Sequence, residues 1–205
     1  VQWEGLSALC SVDLRLRVQI NAGLENDDDA LDAIEGAAVT ADDACAPEVI
    51  YPGHEAVFPP NVSAPEFQWT VASGSDMYVV ELSTAYARVE VVTRGVSWED
   101  NSPVFAYISD SHDGEPVAVD VRVLAGLWNP GSLSFFGGLC TASAPHGVGL
   151  SAVRLFGSVY YWTPAAQGLR RIRIGAATSE TWWTSAETGE CVGCHALNPE
   201  NPQLM

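Results

Sequence analysis

The sequence predicts an all-β protein: an immunoglobulin- or fibronectin-like β-sandwich with a short helical C-terminal tail. Two observations predict the sandwich. Short apolar runs recur between turn-rich segments from Ile50 onward. Near the start, Val12, Leu14, Leu16, Val18 and Ile20 alternate with Asp13, Arg15, Arg17 and Gln19, a period-two strand with one buried face. A third predicts the tail: Thr184-Ser-Ala-Glu187 has the form of a capping box, and Pro199 and Pro202 stop a helix soon after. The expected division is an N-terminal strand and acidic segment over 1–47, a sandwich over 48–180 and the tail over 181–205.

Taken in order, Asn26-Asp-Asp-Asp29 follows the first strand. Clustered carboxylates suit a hard cation such as calcium, but the glycine of an EF-hand loop is missing. Acidic residues at the start of a helix through Ala30–Glu35 explain the cluster without a ligand. Cys10 and Cys45 bracket this segment and are expected to pair, leaving Cys140 as the odd thiol; spacing alone leaves the connectivity open. Tyr51-Pro-Gly and Phe58-Pro-Pro-Asn61 are turn-rich entries, and Trp69 is expected in the core. Asp76–Leu82, Ala87–Val92, Val104–Ile108 and Val117–Leu124 read as strands, the last two joined by a hairpin turn at Asp110–Glu115. Ser158–Trp162 and Leu169–Ile174 read as two more, joined at Pro164–Gly168.

Composition excludes several partners. The chain has 205 residues and a net charge of −17, with 26 acidic residues, nine Arg and no Lys. Such a surface repels nucleic acid and anionic membranes. The uncharged stretch 123–153 is broken by Pro130, Pro145 and many Gly and Ser, so it does not read as a membrane span. No basic n-region opens the chain, and a start at Val1 is what a processed protein would show. No nucleophile elbow, phosphate loop or H-E-x-x-H pattern is present, so no enzymatic constellation stands out.

The motif that carries chemistry is Cys191-Val-Gly-Cys194-His195, the C-x-x-C-H pattern of covalent c-type haem attachment. On a helical turn the two thiols share a face and can form thioethers with the haem vinyl groups. The adjacent imidazole is then the proximal iron ligand. Two plainer readings stand beside it. A C-x-x-C pair can form a redox or structural disulfide, usually in a βαβ setting that this sequence lacks. A structural zinc site wants four ligands, and no second C-x-x-C exists. A two-turn helix carrying the thiols is expected. Trp182 and Trp183, just upstream, are placed to pack on a porphyrin face, with ordinary core packing as the alternative. Haem attachment of this kind takes place outside the cytoplasm, so the motif implies a periplasmic, extracellular or cell-surface location.

The chain also resembles a group of exported proteins typical of myxobacteria, in which an immunoglobulin-like region precedes a cysteine motif and then a β-propeller. The resemblance lies in Tyr51-Pro52, Phe58-Pro-Pro-Asn61, Phe67-Gln-Trp69, Val159-Tyr-Tyr-Trp162, Gly168-Leu-Arg-Arg171 and Cys191-Val-Gly-Cys194-His195-Ala-Leu-Asn198. It covers roughly residues 48 to 198. It implies fold and export; the sequence here ends at Met205, ahead of any propeller.

The sixth iron ligand is expected from His146, then His54, then His112, with Met77 and Met205 as further candidates. His146 ranks first because it lies in the uncharged stretch 123–153, which is the expected wall of the haem pocket. An open site, or a ligand from another subunit, is the alternative. The leading functional expectation is an exported single-haem cytochrome that passes electrons to a redox partner protein. The alternative is a structural or adhesive subunit of a surface assembly, with contacts to neighbouring subunits or copies of itself and the haem as relay or staple. Trp128, Phe135 and Phe136 would then form the contact.

Overall fold

The computed structural model describes residues 16–22, 29–99, 103–176, 178–189 and 192. In chain order the elements are β1 (Leu16–Asn21), α1 (Asp29–Ile34), β2 (Val39–Ala41), β3 (Val49–Tyr51), β4 (Val57–Phe58), β5 (Phe67–Trp69), β6 (Met77–Ser83), β7 (Ala87–Thr93), β8 (Ser97–Trp98), α2 (Val104–Asp110), β9 (Val117–Asn129), β10 (Ser134–Thr141), β11 (His146–Leu150), β12 (Ser158–Thr163), β13 (Gly168–Arg173), β14 (Glu180–Thr184) and α3 (Ser185–Thr188). With 46% strand and 10% helix among the described residues, the structure is mostly β, in several sheets.

The largest sheet has the order β1-β7-β6-β9-β10-β2. Strand β9 organises it. Its 13 residues let β10 pair with Leu124–Asn129 and β11 with Val117–Val121 along one edge, while β6 takes the other. Both faces are covered, so β6 begins with an unbroken apolar run, Met77–Val80, instead of alternating. Tyr78, Val80 and Leu82 face a core closed by Phe67, Trp69 and Trp98 of the β3-β5-β8 sheet and by Phe105 and Ile108 of α2. Met77 and Val79 face the other way, into a second core with Trp128, Phe135 and Leu139, capped by Ala30 and Ile34 of α1. The uncharged stretch 123–153 therefore spans the end of β9, then β10 and β11; Leu124, Trp128, Phe135, Leu139, Val148 and Leu150 are spent in these two cores, while Leu127, Leu133, Phe136 and Val153 stay exposed.

Three expectations are corrected. Val104–Ile108 is helix, not strand: Pro103 stands at its start, and Val104, Phe105 and Ile108 form one buried helical face. A short apolar run fits either structure, and the proline decides it. The turn at Asp110–Glu115 consequently joins a helix to β9, not two strands; Asp113 and Gly114 take positive φ there, 54° and 74°. Cys45 pairs with Cys140, not with Cys10. The cause is strand pairing: β2 runs parallel to β10, with Thr40 opposite Cys140. Asp42 N–H donates to Thr141 O, and the Asp43 carboxylate accepts from Ser143 N–H and Oγ. Gly138 permits this approach, since a Cβ there would lie 2.3 Å from Ala38 O. Cys10 lies outside the described residues, as do Val12–Arg15 of the expected first strand and Asn26–Asp28. The rest of that strand is β1, parallel to β7, and Asp29 opens α1 as the helix reading requires.

A second, smaller sheet, β12-β13-β14, is antiparallel throughout. It follows β11 through residues 151–157, where the Asn61 side chain fastens the passage: Nδ2 donates to Leu155 O (2.7 Å) and Oδ1 accepts from Leu155 N–H (2.9 Å). Among its residues only Gly168 is buried. A Cβ at Gly168 would meet Trp183 O at 2.3 Å, so glycine lets β13 and β14 close up. Among the described residues no helix is long and apolar enough to cross a membrane.

Candidate functional site

The approach to the cysteine motif is built as its sequence directs. The Glu187 carboxylate accepts hydrogen bonds from Thr184 N–H and Oγ1, both 2.9 Å, the capping box expected. The helix it starts is a single turn. Gly189 takes the left-handed conformation (φ 73°) and donates to Ser185 O, which ends α3 ahead of Cys191. The two-turn helix expected to carry both thiols from this cap is thus corrected: glycine stops it early. Cys191, Cys194 and His195 lie outside the described residues. Val192, between the thiols, is buried at 2% exposure.

Trp182 and Trp183 belong to β14, immediately before this turn, and both are half-buried. Trp182 sits in an ordered cluster. The Arg171 guanidinium lies 3.8 Å above its ring and the Tyr160 ring stands edge-on at 5.5 Å. Arg171 also pairs with Glu180 at 2.5 Å, and Arg173 Nε reaches the same oxygen at 3.3 Å. The Arg171 hydrogen bond, opposed by burial, and the charges of Arg171 and Arg173 hold the Glu180 carboxyl below its ordinary range. For Arg171, burial works against the charge, and hydrogen bonds to Tyr160 and Glu180 outweigh it, raising its pKa. Sequence reading had no role for Tyr160, Arg171 or Arg173. A signal was present: Arg170, Arg171 and Arg173 put three of the nine arginines of an acidic chain within four residues.

The expected sixth ligands lie on segments of the chain other than β14 and α3. His54 and His146 meet, with ring centroids 5.2 Å apart, at a cleft of about 600 Å³ that Asp43, Glu48 and Arg122 also line. His146 Nε2 lies 2.8 Å from Pro52 O; a carbonyl only accepts, so Nε2 is the donor. His54 Nδ1 accepts from Gly147 N–H at 3.0 Å, which leaves its Nε2 as the outward nitrogen. At the rim, Asp43 is held below the usual carboxylate range by the Ser143 backbone N–H and then the Ser143 hydroxyl, against a smaller effect of burial. His112 sits in the turn after α2, its Nδ1 against Ile108 O and Ser111 Oγ. Met77 is fully buried in the second core, and Met205 lies outside the described residues. The structure thus brings His54 and His146 together and Trp182 together with Arg171, but at two different places. His146 opens β11, and the passage to the small sheet leaves from Leu150 at its other end, about 13 Å further on.

No known protein family, no curated protein and no solved structure matches this chain.

Proposed function

We propose that the protein is an exported single-haem c-type cytochrome that acts in electron transfer. Cys191 and Cys194 would hold the haem by thioethers and His195 would be its proximal ligand. The observation that carries the reading is Cys191-Val-Gly-Cys194-His195 itself, standing just after a capped turn. The Cys45–Cys140 disulfide adds support in two ways. It takes two of the five cysteines out of competition for the motif's thiols, and it fits an oxidising compartment such as the periplasm or the cell surface. The bound haem would supply a one-electron couple; the chain's residues tether and wall it. The finer reading of residues 48–180 as immunoglobulin- or fibronectin-like belongs to the same proposal. Its support is the core in which Phe67, Trp69 and Trp98 pack across from β6, β7 and β9.

The test is the mass of the denatured chain, expressed with a haem-attachment system. It is expected to equal the polypeptide plus one haem, and to lose that increment in the Cys191→Ala/Cys194→Ala variant. A bare polypeptide mass, with the pair free or joined as a disulfide, overturns the cytochrome reading.

A further inference from the structure

We infer that one face of the small β12-β13-β14 sheet is the wall of the haem site, with Arg171 and Arg173 as the partners of the haem propionates. This rests on the covalent attachment proposed above and adds where the cofactor lies and what holds its charged edge.

The first observation is an uncovered aromatic face. By register Tyr160 stands opposite Arg171, and Trp162 opposite Leu169, which in turn stands opposite Trp183. These side chains share one face of the sheet, and Trp182 joins them through its contacts with Arg171 and Tyr160. Trp162 is 47% exposed, and no side chain of the sheet is fully buried. A three-stranded sheet needs a covered apolar face for stability, and on this face Trp162 remains open.

The second observation is chain continuity. Strand β14 leads through one helical turn to Gly189, two residues before Cys191, a span of about 7 Å at most. Val192, the described residue of this segment, is buried and so is packed against protein. A planar apolar ring tethered there has this aromatic face as its nearest described wall in sequence.

The third observation is charge. Arg171 and Arg173 lie on the same face, opposite Tyr160 and Ser158. One carboxylate, Glu180, serves both, so two guanidiniums with five donors each retain unfilled hydrogen-bonding capacity. Carboxylates of a haem edge match planar guanidinium forks. No other part of this acidic chain gathers three arginines within four residues. The uncharged stretch 123–153 fits less well, because it carries no arginine to meet a propionate and its exposed Leu127 and Phe136, on β9 and β10, stand far from Cys191 in sequence.

The experiment uses the full chain with haem attached, its adduct first verified by mass; absence of the adduct removes the function reading and is distinct from failure here. Hydroxyl-radical footprinting then compares this holoprotein with the Cys191→Ala/Cys194→Ala chain. Trp162 is expected to be labelled several-fold less in the holoprotein, while Tyr86 and Tyr107, exposed on other elements, are labelled equally in both. Equal labelling of Trp162 overturns the inference, as does protection in both chains, which would mean a second copy covers the face. In parallel, Arg171→Gln/Arg173→Gln is expected to lower the midpoint potential with the adduct intact, because removing positive charge near the iron favours the ferric state; Arg94→Gln leaves it unchanged. An unshifted potential in the double variant overturns the propionate assignment. His146→Ala is expected to leave the visible spectrum unchanged. Loss of a six-coordinate low-spin spectrum in that variant would place the haem in the histidine cleft and overturn the inference.

Discussion

The two main sheets solve the same problem in opposite ways. The large sheet buries both its faces, one under β3-β5-β8 and α2, the other under α1. The small sheet is richer in aromatic residues for its size, yet of its residues only Gly168 is buried. The large sheet therefore carries the stability of the chain, and the small sheet presents side chains to something else. The same contrast governs charge. Glu90 in the large sheet is 1% exposed and is met by Arg17 Nη2 at 2.7 Å, Gln19 Nε2 at 3.1 Å and Arg88 at 2.9 Å, the last as an ion pair off the line of a hydrogen bond. Its Oε2 takes every one of those hydrogen bonds, while the buried Oε1 has the Arg88 ion pair alone among the described residues. Arg171 and Arg173 share a single, half-exposed Glu180.

The sharpest way to break this comparison is to truncate one aromatic in each region. Phe105 is 1% exposed and packs against Phe58 and Phe67 at centroid distances of 5.6 and 6.5 Å. Phe105→Ala is expected to cost about 3–5 kcal/mol, since it removes transfer energy and leaves a cavity. Trp162→Ala in the haem-free chain is expected to cost under about 1 kcal/mol. Chemical denaturation of both variants checks the pair; equal losses would mean that the small sheet is structurally committed after all.

Next in size is the disulfide. It ties the edge of the large sheet across a sequence separation of 95 residues. A cross-link of that span constrains the unfolded chain strongly, and Cys45→Ser/Cys140→Ser is expected to lose about 2–4 kcal/mol. Amide exchange should rise around β2 and β10 and stay unchanged in β12–β14. A uniform rise would dissolve the distinction between the regions.

The contrast also explains what could be read from the sequence. The strands of the large sheet were legible because Met77–Ser83 and Ala87–Thr93 are short runs rich in apolar residues between turn residues. The small sheet's hairpin was legible because Pro164–Gly168 separates the aromatic run Ser158–Trp162 from Leu169–Ile174. Val104–Ile108 was misread because five apolar residues carry no period, and the identity of Pro103 outweighs them. Cys45–Cys140 was missed because a parallel contact between β2 and β10 is non-local, whereas Cys10 was merely nearer in sequence. Within the candidate site, the capping box at Thr184–Glu187 was legible as a local rule. The Tyr160–Arg171–Trp182 cluster was not, because it needs the register of three strands. His54 and His146 meet only through the pairing of β11 with β4.

The smallest expected effect is on acid stability, and it separates the regions by pH. Glu180 ionises more readily in the folded chain than in the unfolded one, chiefly through its hydrogen bond to Arg171. A depressed carboxyl pKa favours folding only while the group is charged. The contribution is fully present above about pH 4.3, the ordinary value for glutamate, and is lost as pH falls through the folded value. The partly exposed setting keeps it small. As pH falls through that lowered folded value the arginines of β13 lose their shared partner, so the small sheet should loosen while the β6-β7-β9 core stays closed. Amide exchange, corrected for its intrinsic pH dependence, should rise first in residues 168–184. Glu180→Gln should show the looser pattern already at pH 7 and no further step on acidification. A wild-type chain in which β6 and β13 respond together at low pH would show that the two sheets form one cooperative unit. Their unequal burial would then reflect surface composition and not a division of labour.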